Sequence, residues 1–283
     1  MRQLRHVWAF LAIVCSFGLQ AQSLKVPAAS PLQTLKQSFG LGDITIEYSR
    51  PSVKGRVIFG GLLPYGKMWR TGANASTKIT FTEDVKVSDK DIKAGTYAIY
   101  TIPNKDSWEI LLNTDVTLAG NVAAYKTETE VARFTVKSTS LSDNVETFTI
   151  NINNITATSA TIELTWEKTK VAFPVTTEID EKVMKNIEAT MNTDARPYFQ
   201  AASYYYENNK DLNQALIWAT KATELNPNAF WMTLLKAKIE LKLKDGKSAL
   251  ASANKTLELA KAANNEDYQR MAEQIIAEVK QKR

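Results

Sequence analysis

The sequence predicts an α+β two-domain protein: an N-terminal antiparallel β-sandwich of jelly-roll character followed by an all-α domain of helical hairpins. Three observations predict it. Before residue 176, β-branched and aromatic residues alternate with polar ones over many short runs. After it, Ala, Lys, Glu, Leu and Asn dominate. Within that second regime one stretch repeats itself at an offset of 34 residues.

Four segments follow in order: a leader over 1–21, a linker over 22–29, the β-sandwich over 30–175 and the helical domain over 176–283. The leader carries Arg2 and Arg5, then the 13-residue apolar run Val7–Leu19, then the small residue Ala21. That run is too short to span a bilayer as a helix, and the pattern is that of a cleaved secretory signal. The expectation is therefore an exported protein, periplasmic or secreted, with no membrane span once the leader is removed.

His6 and Cys15 are the chain's only histidine and cysteine, and both lie in the leader. The processed chain then has no thiol for a disulfide, so its core alone must hold it together. A Ser-His-Asp triad, a His-paired cysteine nucleophile and His/Cys metal sites are all excluded. No phosphate-binding or dinucleotide glycine fingerprint is present either. The formal charge is +5, and +3 without Arg2 and Arg5, spread thinly along the chain. That distribution predicts a solvated surface and no nucleic-acid partner.

In the first regime, strands are predicted at Thr34–Phe39, Asp43–Tyr48, Thr77–Thr82, Asp84–Val87, Thr96–Ile102, Trp108–Asn113, Ala132–Lys137, Val145–Ile152, Ala160–Glu167 and Val171–Val175. Ile44, Ile46 and Tyr48 share one face of a strand, as do Ile162, Leu164 and Trp166, because side chains alternate with period two. Turn residues separate the runs at Gly40–Gly42, Ser88–Asp91, Ala94–Gly95, Pro103–Asp106 and Asn153–Asn154. Frequent turns with no intervening helices predict an antiparallel arrangement.

Residues 49–76 break the alternation. They hold Arg50, Arg56 and Arg70 among Pro51, Pro64 and five glycines, Gly55, Gly60, Gly61, Gly66 and Gly72. A long loop inside a compact domain is a place to look for function.

In the second regime, helices are predicted near 180–191, 195–208, 212–225, 229–243, 247–263 and 266–281. Lys210–Leu225 and Lys244–Leu259 are identical at eight positions, including Asp211/Asp245, Ala215/Ala249 and Ala219/Ala253. Small residues mark where two helices approach closely: Ser203 and Ala237 on the first helix of each unit, Ala215 and Ala249 on the second. Pro227 closes the first unit, since proline cannot continue a helix. The 34-residue period is that of tetratricopeptide-like hairpins, which predicts a protein partner.

The chemistry left to such a chain is that of carboxylates, lysines, tyrosines and all-oxygen Ca²⁺ sites. Asp43 and Glu47 share a strand face, and two carboxylates across a cleft are the machinery of a glycan-acting hydrolase. Asp84, Asp89 and Asp91 surround a hairpin turn and offer oxygens to Ca²⁺, though not at the spacing of an EF-hand loop. The stronger candidate is the loop. Arg50, Arg56 and Arg70 are suited to a carboxylate, phosphate or sulfated sugar. Tyr48, Tyr65 and Trp69 supply stacking faces, and Asn74 can read hydroxyls. The same residues also suit a structural loop in which each guanidinium bonds local carbonyls. No catalytic residue, metal or cofactor is assigned.

The loop's motifs resemble a known family. Tyr48-Ser49-Arg50-Pro51-Ser52-Val53-Lys54-Gly55-Arg56, then Pro64-Tyr65-Gly66-Lys67-Met68-Trp69-Arg70-Thr71-Gly72-Ala73-Asn74, then Ala94-Gly95-Thr96-Tyr97 with Thr101-Ile102-Pro103, are similar to signatures of the bacterial envelope family called domain of unknown function 2911. The likeness covers roughly 30–175. One departure is Ala119-Gly120, which stands where that family has a Trp-Gly pair. The resemblance implies an exported β-rich domain and no particular activity. The helical half resembles tetratricopeptide repeats. The expected function is that of a non-enzymatic envelope binding or scaffold protein, its helices holding another protein. The alternatives are a glycan hydrolase or a binder of a small anionic or carbohydrate ligand.

Overall fold

The computed structural model describes residues 26–191 and 197–281, and the predicted leader lies outside them. The chain divides into two compact units between Glu178 and Ile179. Among the described residues no helix is long and apolar enough to cross a membrane.

The first unit is a nine-stranded, wholly antiparallel sheet. Its strands are β1 (Leu32–Phe39), β2 (Gly42–Ser49), β3 (Ala73–Phe81), β4 (Val85–Val87), β5 (Lys90–Ile92), β6 (Gly95–Pro103), β7 (Ser107–Asn113), β8 (Glu130–Asn153) and β9 (Ser159–Thr176). They lie in the order β1-β2-β3-β6-β7-β8-β9-β4-β5. The chain is therefore a meander, interrupted once where the β4–β5 hairpin leaves to pair with the end of β9 through Lys86↔Thr176 and Val87↔Val175.

The sheet curls back on itself. β2 and β8 stand four strands apart, roughly 19 Å in a flat sheet. Yet the rings of Tyr48 on β2 and Phe148 on β8 lie 5.8 Å apart, edge to face. The alternating apolar faces thereby close around a main core, and Ala98, Tyr100 and Leu111 form a smaller cluster apart from it. At the centre of the main core Trp69 stacks on Trp166 at 5.7 Å, with Phe59, Trp108 and Phe148 around them.

β8 and β9 are each longer than the alternation suggests, joining the predicted pairs 132–137/145–152 and 160–167/171–175. Ser138–Asn144 has no apolar period, so it reads as a break. Its backbone nevertheless keeps pairing, Ser138↔Val171 through Ser140↔Thr169, before the register shifts ahead of Val145. Glu167, at φ +52°, sits at that irregularity. β5 falls partly on the residues read as turn, because Ser88 at φ +56° and Asp89 suffice to reverse the chain.

The second unit holds α1 (Asp180–Met191), α2 (Tyr198–Glu207), α3 (Leu212–Leu225), α4 (Phe230–Lys242), α5 (Gly246–Ala262) and α6 (Glu266–Gln281). The start predicted for α2 at 195 lies outside the described residues, and the helix begins after Pro197. The repeated positions explain the repeated geometry. Asp211 caps α3 by accepting from the Asn213 and Gln214 N–H groups, and Asp245 caps α5 through the Ser248 N–H at 3.0 Å. Ala215 and Ala219, and again Ala249 and Ala253, are fully buried between helices. On α2 the fully buried small residues are Ala201 and Ala202, while Ser203 is only half-buried.

Candidate functional site

The first signature, 48–56, laces one edge of β8. Residues 146, 148 and 150 turn their backbone polar groups away from β9, and an open strand edge of this kind needs partners. The Val53 N–H donates to the Glu146 carbonyl at 2.7 Å, and the Phe148 N–H to the Pro51 carbonyl at 2.8 Å. Arg50 continues the series with side-chain atoms, Nε donating to the Phe148 carbonyl at 3.0 Å and Nη2 to Thr149 Oγ1 at 2.6 Å. The Tyr48 hydroxyl then accepts the Ile150 N–H at 2.8 Å. Beyond this edge the chain reverses at Val53–Arg56. Lys54 (φ +48°) and Gly55 (φ +70°) are the two left-handed residues of a type I′ turn, closed by the Arg56 N–H on the Val53 carbonyl. Arg56 clamps the same turn, Nε on the Val53 carbonyl at 3.0 Å and Nη2 on the Ser52 carbonyl at 2.6 Å.

The second signature edges β6. Trp69 and Thr101 exchange backbone hydrogen bonds at 2.8 and 2.9 Å, and the Trp69 indole N–H donates to the Gly72 carbonyl at 2.9 Å. The Trp69 ring is a core residue, 6% exposed. Asn74 is held at φ +59°, its amide donating to the Ser30 carbonyl and Ser49 Oγ. Tyr65 is exposed and lies over Gly60, where a Cβ would fall 2.9 Å from the ring.

Arg70 differs from the other two arginines. Arg50 and Arg56 spend their guanidinium donors on the loop and on β8. Arg70 makes no hydrogen bond or ion pair among the described residues, and its Nε is buried without a partner. Nη1 lies beneath the loop between β7 and β8, where a Cβ on Gly120 would come within 2.9 Å of it. That loop is pinned from below. Ser76 Oγ on β3 accepts the Ala119 N–H at 2.9 Å, and the Tyr100 hydroxyl on β6 donates to the Ala119 carbonyl at 3.3 Å. Ala119 itself is held at φ +48°, a conformation alanine rarely takes. Burial, and after it the charge of Asp115, push the Tyr100 phenol above its ordinary pKa, while the Ser76 hydrogen bond and then the charge of Arg70 pull the other way. Ser76 and Tyr100 are site residues that the strand pattern presents only as sheet positions.

Of the carboxylate candidates, Asp43 and the three hairpin aspartates are paired with lysines, and Glu47 is exposed. Asp43 pairs with Lys36 at 3.0 Å; that contact and the Ser38 hydroxyl hold its carboxyl below the usual range. Around the β4–β5 hairpin each aspartate faces a lysine: Asp84 with Lys93, Asp89 with Lys90, Asp91 with Lys86. Among the described residues no three potential metal ligands gather.

No curated protein and no solved structure matches the chain. Residues 30–175, half of the sequence and all but the last residue of the laced sheet, match the family described as protein of unknown function (DUF2911), and the chain belongs to that family.

Proposed function

We propose that this protein is an exported, non-enzymatic binding protein of the bacterial envelope, a β-sandwich carrier joined to tetratricopeptide-like hairpins that hold another protein. The observation that carries the reading is a groove in the helical unit, of about 780 Å³, running along α3. Tyr198, Leu216, Ile217 and Trp218 give it an apolar floor, and Asn213 and Lys221 give it a polar margin. Ile217 is 61% exposed at this groove, while Ala215, Ala219 and Ala222 of the same helix are buried on its other face. An exposed apolar side chain beside aromatic rings makes a patch of the kind that marks a protein-interaction surface.

The test is photo-crosslinking from position 217 in the full chain, expressed in its own host. One dominant envelope protein should be captured, and the capture should vanish with Leu216→Glu while the circular dichroism spectrum is unchanged. A crosslinker at 217 that captures nothing while the chain is folded and exported would overturn the docking role. Retention of the full-length leader by the chain in the cell would overturn export.

A further inference from the structure

We infer that Arg70 is the anchor of an oxyanion-binding site in the β unit, one that takes a carboxylate, phosphate or sulfate group. The inference is independent of the helical groove. It starts from an imbalance. A guanidinium partly removed from water normally has a carboxylate, or several carbonyls, to compensate its charge. Arg50 has a carbonyl and a threonine hydroxyl and Arg56 has two carbonyls, whereas Arg70, further along the same loop, has no such partner among the described residues. Its planar fork presents parallel N–H donors suited to two oxygens of one anion.

The surroundings are built to keep that fork in place. Its neighbours Trp69 and Thr71 are fixed, the first by backbone exchange with Thr101, the second by hydroxyl contact with Thr101 Oγ1 at 3.2 Å. Ser76 and Tyr100 spend their hydroxyls on each other and on Ala119, so they hold the covering loop and leave the charge of Arg70 unanswered. Gly120 is the residue over Nη1, and any side chain there would occupy the space an oxygen needs. The strained Ala119 shows that the loop is held in this position against its own preference.

The experiment measures thermal stabilisation and calorimetric binding of the full chain with inorganic phosphate, sulfate, acetate and succinate, against chloride at equal ionic strength. The wild type should show saturable stabilisation by at least one of the four. Arg70→Gln should weaken that anion at least about tenfold, and Arg70→Lys should weaken it less, since a point charge replaces a fork. Gly120→Ala keeps the charge and fills the approach, so it should also lose binding. Arg56→Gln should bind as the wild type does. The proposal is overturned if none of the four anions stabilises the wild type beyond chloride, or if Arg70→Gln and Gly120→Ala respond as the wild type does. The rank of the anions tells a carboxylate ligand from a phosphorylated or sulfated one.

Discussion

The Tyr48 hydroxyl accepts the Ile150 N–H at 2.8 Å, so a side chain of β2 completes a backbone position of β8 a hundred residues later. The same oxygen lies 2.9 Å from Gln33 Oε1 and 3.2 Å from the Ile150 carbonyl. A phenol so occupied belongs to the framework. Tyr48→Phe leaves a buried N–H without a partner, which costs about 1–3 kcal/mol. The expected result is a lower urea midpoint for the β unit and faster hydrogen exchange at Ile150. An unchanged midpoint would show that this contact is dispensable.

Trp69 and Tyr65 belong to one signature but to different environments. Trp69→Ala removes the ring at the centre of the aromatic core and should destabilise the unit by about 3–5 kcal/mol. Tyr65→Ala removes an exposed ring and should change stability by less than about 0.5 kcal/mol. Paired denaturation curves check both. Equal losses would contradict the burial described here.

Glu240 is a carboxylate on α4 buried against α5, with Oε2 unpartnered. Burial raises its pKa; the Ser252 hydroxyl and Lys236, whose Nζ is 3.9 Å away, pull it down, and Asp245 raises it further. A raised folded-state value means that the helical unit is favoured while the group is protonated, and that this advantage is lost as pH climbs through the folded value. Glu240→Gln should therefore stabilise the helices at pH 7.5 by about 1 kcal/mol. The gain should shrink as the pH falls toward the ordinary carboxylate range. Melts followed at 222 nm over a pH series test the sign, and a gain that grows on acidification would refute it.

Asp211 and Asp245 are the same cap in successive repeats. Asp211→Ala and Asp245→Ala should each cost about 1 kcal/mol of helical-unit stability. Equal losses in the two single variants, read from urea unfolding, would show that the repeat is energetic as well as sequential. A loss at only one cap would show that the copies have diverged.

The elements were legible where a side-chain period meets a face. Ile44, Ile46 and Tyr48 mark β2 at once, and the Ala215/Ala219 and Ala249/Ala253 pairs mark α3 and α5. The loop was less so, because its partners are remote in the chain. Nothing near Arg50 in sequence says that its donors go to Phe148 and Thr149, and nothing near Arg70 says that it has no partner among the described residues. Residue type pointed to three arginines as equals, and only tertiary contact separates them. Ser138–Asn144 was illegible for the opposite reason. Backbone pairing there needs no apolar side chain, so a strand runs on where the pattern stops.

β8 has a temporal consequence. The groups contributed by residues 48–58 find their partners at Glu146, Phe148, Ile150 and Glu167. A growing or threading chain therefore carries its early segments unsatisfied until nearly the last strand of the unit has emerged. Contacts of such long sequence separation slow assembly.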